Sequence, residues 1–242
     1  NRLLALALFG LTACATKPSA WVAQQEDLSW RWLQLNISPE QPKTPGGPKP
    51  RRGIVVAALH KKDPDYYFHW VRDSANVMKV VAEHAQSHRE ISVHERMREF
   101  LNLSSDLQVQ HSPYGMGEPR FTVEGRPDLL PWSRPQYDGP ALRALAAQTY
   151  VRECSPPEAL RALADKVIGR DLEFIREVRH RRGFDLWEEL FAENYHTQLV
   201  QMAALENGGF AAEAAELKEE LDKYWDRAKG YYRSQRIIER TD

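Results

Sequence analysis

The chain has 242 residues, enough for one large hydrophobic core, and one domain is the expectation. Its formal net charge is -1 with 28% charged residues, so it has no basic excess to gather phosphates, and nucleic acid is not expected as a partner. Seven tryptophans call for either a deep core or a surface that uses flat rings.

The sequence opens on Asn1 and not Met, so a missing start is expected. Arg2, an apolar run from Leu3 to Leu11 and the small residues Thr12-Ala13-Cys14-Ala15 follow the order of a secretory signal. The run falls short of the roughly 18 apolar residues that cross a membrane. Leu11-Thr12-Ala13-Cys14 is similar to a bacterial lipoprotein signal, in which Cys14 becomes the lipid-bearing N-terminus; ordinary cleavage near Ala13-x-Ala15 is the alternative. Either way the chain reads as exported to the cell envelope or beyond, with a lipid on Cys14 as its expected membrane contact. The other cysteine, Cys154, then has no intramolecular partner and reads as a buried, inert thiol.

Residues 1–14 thus read as the signal, and 15–52 as a helix with a linker. Ala20 to Leu35 sets Trp21, Leu28, Trp32 and Leu35 on one helical stripe, and Pro39 to Pro50 is too rich in proline and glycine for helix or inner strand. Gly53 to Leu59 reads as a short strand or an extended lining segment. Helical patterns follow from Asp73 (Val77, Val80, Val81, His84), over Ile91–Leu107, Ala141–Val151, Glu158–Val178, Tyr195–Leu205 and Phe210–Tyr224. An all-α fold of about seven helices is expected, with no convincing sheet. Long loops near 36–70, 111–137 and 181–194 alternate with short ones, as in a ring of helix pairs whose functional loops share one end.

Those loops carry the chemistry. Tyr66, Tyr67, Phe68 and Trp70 crowd beside Arg72 and Asp73; taken alone the four rings read as core, but in a loop beside a charged pair they also match the C–H face and hydroxyl rim of a sugar, while Asp73 also stands where a helix begins. Prolines rigidify Gly115–Phe121 and Pro131–Tyr137, where Trp132 is the candidate ring, and Asp138-Gly139-Pro140 reads as a helix start. In Gly183-Phe184-Asp185-Leu186-Trp187-Glu188-Glu189, Asp185-x-x-Glu188 has the spacing of a helix capping box. If the acids serve a site instead, one of them, partly buried against Trp187, donates a proton while its neighbour holds hydroxyls.

In this order PDYYFHWVRDSA, GMGEPRFTVEG, WSRPQYDGPALRA and GFDLWEE resemble the glucoamylase family of glycoside hydrolases, over about residues 53–205. The resemblance implies an (α/α)6 barrel, of which residues 53–242 would be about half, and release of glucose with inversion from the non-reducing ends of α-1,4-glucans, without cofactor or metal. It implies Glu188 as general acid, with Asp185 a further catalytic candidate. Arg72, Asp73, Glu189 and the backbone at Leu186 would grip the terminal glucose, and Tyr66, Trp70, Trp132 and Trp187 would line the pocket. Arg182, Tyr137 and Ala192 depart from the family's usual residues, which bears on fine specificity. An inverting enzyme needs a second carboxylate, roughly 6.5 to 9.5 Å from the first. In the family it lies beyond residue 242, so a chain cut short of its base, and nearly inactive alone, is the expectation. The alternatives are a glucan-binding surface protein without chemistry and an α/α-barrel enzyme acting on another α-disaccharide.

Overall fold

A computed structural model describes residues 20–88 and 92–236. The signal reading and Cys14 lie outside the described residues. Two units are distinguished, divided after Gln34. The first contributes one described helix, α1 (Ala20–Gln34), with no buried residue. Its Trp21, Leu28 and Trp32 are exposed, and Arg31 pairs with Asp27 one turn away.

In the second unit the proline-rich stretch is irregular, as expected. The segment from Gly53 is an extended liner and not a strand. Ile54, Val55 and Val56 are fully buried, Ser38 N–H donates to the Ile54 carbonyl at 2.7 Å, and Ala57 N–H donates to that of Phe68 at 3.0 Å. Gly53 sits at φ +86, and a Cβ there would meet the Glu99 carbonyl oxygen at 2.2 Å, so only glycine lets the liner pass. It packs with Tyr67, Val71, Leu103, Leu107, Phe121 and Val123 into one cluster of the core.

Among the described residues six α-helices follow: α2 (Val71–His88), α3 (Val93–Leu107), α4 (Asp138–Cys154), α5 (Glu158–Val178), α6 (Tyr195–Asn207) and α7 (Ala211–Asp222). Helix α4 is buried around its circumference, with Ala141, Leu142, Ala144, Ala146, Ala147, Thr149 and Tyr150 all inside, which marks an inner helix. It packs against α2, α6 and α5. By contrast α5 buries one stripe, Leu160, Ala164, Val167, Asp171, Leu172, Ile175 and Val178, and α7 a narrower one, Ala214, Leu217 and Leu221. The result is an arc of inner helices α2, α4 and α6, backed by α3, α5 and α7. Among the described residues a buried link and a half-buried one cross it: Arg143 on α4 grips Asp171 on α5 with two bonds of 2.9 and 2.5 Å, and the Tyr150 hydroxyl lies 2.7 Å from His94 Nδ1 on α3.

The expectation of no sheet is corrected in part. Among the described residues three small antiparallel sheets sit in the loops: β1 (His69–Trp70) with β2 (Arg120–Phe121); β3 (Gly183–Phe184), β4 (Phe191–Asn194) and β7 (Gln235–Arg236) in that order; and β5 (Trp225–Asp226) with β6 (Tyr231–Tyr232). Strands of two to four residues are too short to show alternation in sequence.

Candidate active site

The GFDLWEE segment starts no helix. Gly183 pairs with Ala192 and Phe184 with Phe191, and the residues between make a hairpin loop. Asp185 organises it: Oδ1 accepts the N–H groups of Glu189 (2.8 Å) and Leu190 (3.1 Å), and its own N–H donates to the Leu190 carbonyl at 3.0 Å. Its Oδ2 accepts from Gln235 Nε2 at 2.7 Å, and the residue is 4% exposed. The helix capping expected of Asp185 is not formed, because a hairpin turn and not a helix follows; Asp185 closes that turn instead, and both oxygens of this catalytic candidate are engaged by structure. Glu188 takes φ +64, the left-handed region that a side chain disfavours.

That conformation aims the Glu188 carboxylate at residues from three other segments. Oε1 accepts from Trp70 Nε1 (3.0 Å), Gln136 Nε2 (2.9 Å) and Arg72 Nη2 (3.4 Å). The Ser133 hydroxyl donates to the Glu188 carbonyl at 2.6 Å. Trp70 comes from β1, Arg72 from the first turn of α2, and Ser133 and Gln136 from the rigid stretch before α4.

Arg72 is the hub. Its Nη1 donates to Asp138 Oδ2 at 2.9 Å and to Gln136 Oε1 at 2.8 Å, and its Nε lies 3.9 Å from Asp73. Burial disfavours the guanidinium's charge, but Asp138, then Asp73 and Glu188, outweigh that and raise its pKa. Burial pushes the Asp73 carboxyl up; Arg72 opposes the shift while Glu188 and Asp138 add to it. His196, at the start of α6, lies 3.7 Å from Asp138 Oδ2, and burial lowers its pKa against the pull of Asp138.

The expected rings meet in part. Trp70 is nearly buried, with Tyr66 at 6.1 Å and Trp132 at 5.9 Å between ring centroids. The Arg120 guanidinium, itself buried and ion-paired with Asp128, lies 3.6 Å from the centroid of Trp132. Tyr66 and Trp132 keep 44% and 39% of their surface exposed, as pocket walls would. Trp187 is 72% exposed, so the expected burial of the acid against this ring is not what the hairpin shows. In a hairpin turn neighbouring side chains diverge, so the ring beside Glu188 in sequence is not what Glu188 leans on. Glu189 is exposed and Leu186 half-buried, so the grip on substrate expected of these two has no protein counterpart in the carboxylate network.

Several members of the network have no role in the sequence reading: Gln136, Ser133, His196, Gln235 and Arg120. Asp138 is assigned only a helix start there. The signal that could have found Gln136 and Asp138 is their place beside Pro135 and Pro140, where the backbone is fixed and a side chain can be aimed. A cavity of about 770 Å³ lies elsewhere, lined by residues that include Gln148, Arg152, Arg161, Asp165 and Asn207. It includes none of these groups, and the carboxylate network, not cavity size, marks the site. Among the described residues no group of three or more His, Cys, Asp or Glu could hold a metal, and no described helix is long and apolar enough to cross a membrane.

The family model for glycosyl hydrolases family 15 matches residues 45–236. The chain is 35% identical to a glucoamylase of Arthroderma benhamiae over 65% of its own length and 27% of that protein. It is 30% identical to a glucoamylase of Saccharomycopsis fibuligera over 89% of its length and 48% of the relative. The chain thus spans between about a quarter and a half of the length of these curated relatives. Among solved structures, the glucoamylase of Hormoconis resinae superposes with a TM-score of 0.78 at 28% identity, covering 93% of this chain and 41% of the other. That of Saccharomycopsis fibuligera gives 0.77 at 25% identity, covering 91% and 53%. The inner and outer helices are accordingly those of a partial glucoamylase (α/α)6 barrel. By the match of its family model over most of its length and by its fold, this chain is a member of glycosyl hydrolases family 15.

Proposed function

We propose that the protein carrying this chain is an exo-acting, inverting hydrolase that releases glucose from the non-reducing ends of α-1,4-glucans, with Glu188 as its general acid. The observation that carries the reading is the convergence of Trp70, Arg72 and Gln136 on Oε1 of Glu188, at the foot of the Tyr66–Trp70–Trp132 cluster. The two relatives compared above bear the name glucoamylase.

In this reading Glu188 gives its proton to the glycosidic oxygen as the C–O bond breaks, and the sugar passes through an oxocarbenium-like state. One guanidinium, Arg72, faces three carboxylates, Asp73, Asp138 and Glu188. As Glu188 loses its proton its carboxylate joins those of Asp73 and Asp138 around the single guanidinium, and the net negative charge favours the positive charge growing at the sugar. Arg72, Asp73 and Glu189 bind hydroxyls of the terminal glucose together with the backbone at Leu186, and Tyr66, Trp70, Trp132 and Trp187 offer ring faces. Asp185 is proposed as the residue that shapes the acid's turn and not as a proton donor. The carboxylate that activates water is assigned to no residue of this chain. Export, with Cys14 carrying lipid, belongs to the same proposal and rests on the Arg2–Ala15 pattern.

The test is the anomer formed by the full-length protein. Proton NMR of maltose digestion should show β-glucose first, and Glu188→Gln should lower kcat by about 100-fold or more. First release of α-glucose, or an active Glu188→Gln protein, would sink the reading.

A further inference from the structure

Gln136 has no apparent freedom. It is 2% exposed, its Oε1 accepts from Arg72 Nη1, and its Nε2 donates both to the Ser133 carbonyl (2.9 Å) and to Glu188 Oε1 (2.9 Å). Turning the amide over would set its NH₂ against a guanidinium and its oxygen against two acceptors, so the network dictates the orientation. Ser133, three residues earlier, holds the other end of the same residue through the Glu188 carbonyl. The stretch between them is tied to the acid's hairpin by Phe184 N–H donating to the Pro135 carbonyl at 2.9 Å, and to the turn at Gly115–Gly117 by Gln136 N–H donating to the Gly117 carbonyl at 3.0 Å. Within its own turn this left-handed residue is held by its N–H on the Asp185 carbonyl at 2.9 Å, and its carbonyl and carboxylate are gripped by one rigid segment outside the turn.

The two oxygens of Glu188 are not equivalent. Three donors converge on Oε1, and among the described residues no hydrogen bond reaches Oε2. A hydrogen on Oε1 would face N–H groups head on, so in the protonated acid it sits on Oε2. We infer that Ser133 and Gln136 form a two-point clamp that makes Oε2 the proton-donating atom of Glu188. Both are positioning residues, acting through Glu188 and touching no substrate. During the step Oε2–H breaks, its proton passes to the glycosidic oxygen, that oxygen keeps the C–O electron pair, and Glu188 is left as a carboxylate whose charge its three donors already face. The inference rests on the reading of Glu188 as the acid.

The leaving group separates positioning from folding. Maltose must have its leaving oxygen protonated, whereas α-glucosyl fluoride departs with far less help. In the full-length protein, Gln136→Met should lower kcat on maltose by about 100-fold with KM little changed, the scale expected for a misplaced catalytic group. Turnover of α-glucosyl fluoride should fall far less. Ser133→Ala should show the same bias in weaker form, and Ser133→Thr, which keeps the hydroxyl, should restore maltose activity. Equal losses on both substrates, or none on maltose, would overturn the clamp. Should Gln136→Met fail to fold, the bias in Ser133→Ala and its rescue decide alone. Full maltose activity in Glu188→Gln would instead remove the acid itself, and the clamp with it.

Discussion

Acidification should unseat β1 by charging His69. This side chain is 2% exposed and its Nδ1 accepts the Val55 N–H at 3.1 Å, so that nitrogen must present a lone pair and the ring stays neutral. Burial, reinforced by the Arg143 cation, lowers its pKa from 6.5 to about 3. A folded pKa below the unfolded one gives a stabilisation that is complete above about 6.5 and lost as pH falls toward about 3. Each pH unit in that window removes about 1.4 kcal/mol, so the step from pH 7 to pH 4 should remove about 3 kcal/mol through this residue alone. That is a large share of the roughly 5 to 15 kcal/mol that holds a domain together. The assay is urea unfolding followed by tryptophan fluorescence at pH 7, 5.5 and 4, for the wild type and for His69→Asn. The asparagine oxygen can still take the Val55 N–H but does not titrate in this range. Its stability should fall less steeply with acid than that of the wild type, the gap closing by about 3 kcal/mol at pH 4. Parallel losses in the two proteins would show that His69 is not held neutral by its surroundings. Trp70 follows His69 in β1, so the same protonation should loosen the Trp70 bond to Glu188.

The Arg143–Asp171 pair is buried on both sides, and Asp171→Ala strands the guanidinium; urea unfolding should register a loss of about 3 to 5 kcal/mol, most of it recovered when Arg143→Met is added. Recovery of less than half would mean that the pair itself, and not the stranded charge, accounts for the cost. Gln235→Leu removes the donor on Asp185 Oδ2, worth about 1.5 to 3 kcal/mol for a bond to a charged group. Amide exchange at Glu189 and Leu190, whose N–H groups Asp185 holds, should speed up by about tenfold or more, while amides in the middle of α5 keep their wild-type rates.

Helices were legible because their burial is periodic and local. The stripe Leu160, Ala164, Val167, Leu172, Ile175 on α5 is written in sequence at helical spacing, and the structure buries each of those residues. The convergence of Trp70, Arg72 and Glu188 was legible only as a resemblance, since residues far apart in the chain carry no shared period. What misled was Asp185-x-x-Glu188. An aspartate that caps free N–H groups has the same local spacing whether a helix or a tight turn follows. The choice is made elsewhere, by the pairing of Gly183 with Ala192 and by Tyr137 and the Pro135 carbonyl, which a Cβ on Gly183 would meet at 3.0 and 3.1 Å. Gln136 escaped notice for a different reason. A neutral amide has no charge and no period, and its importance comes only from the three groups around it.

The helices nonetheless fix the chemistry indirectly, through their first turns. Arg72 and Asp138 lie at the starts of α2 and α4, two inner helices packed along each other. Gly139 faces Val71, and a Cβ there would come within 3.0 Å of the valine side chain. The missing side chain lets the two helix starts approach until Arg72 and Asp138 bond at 2.9 Å. Asp138 and Gln136 share Nη1 of the guanidinium, which leaves Nη2 facing Glu188. A glycine that contributes no functional group therefore governs where the acid's partner points, and the inner-helix packing reaches Glu188 through a chain of three contacts, Gly139 on Val71, Asp138 on Arg72 and Arg72 on Glu188.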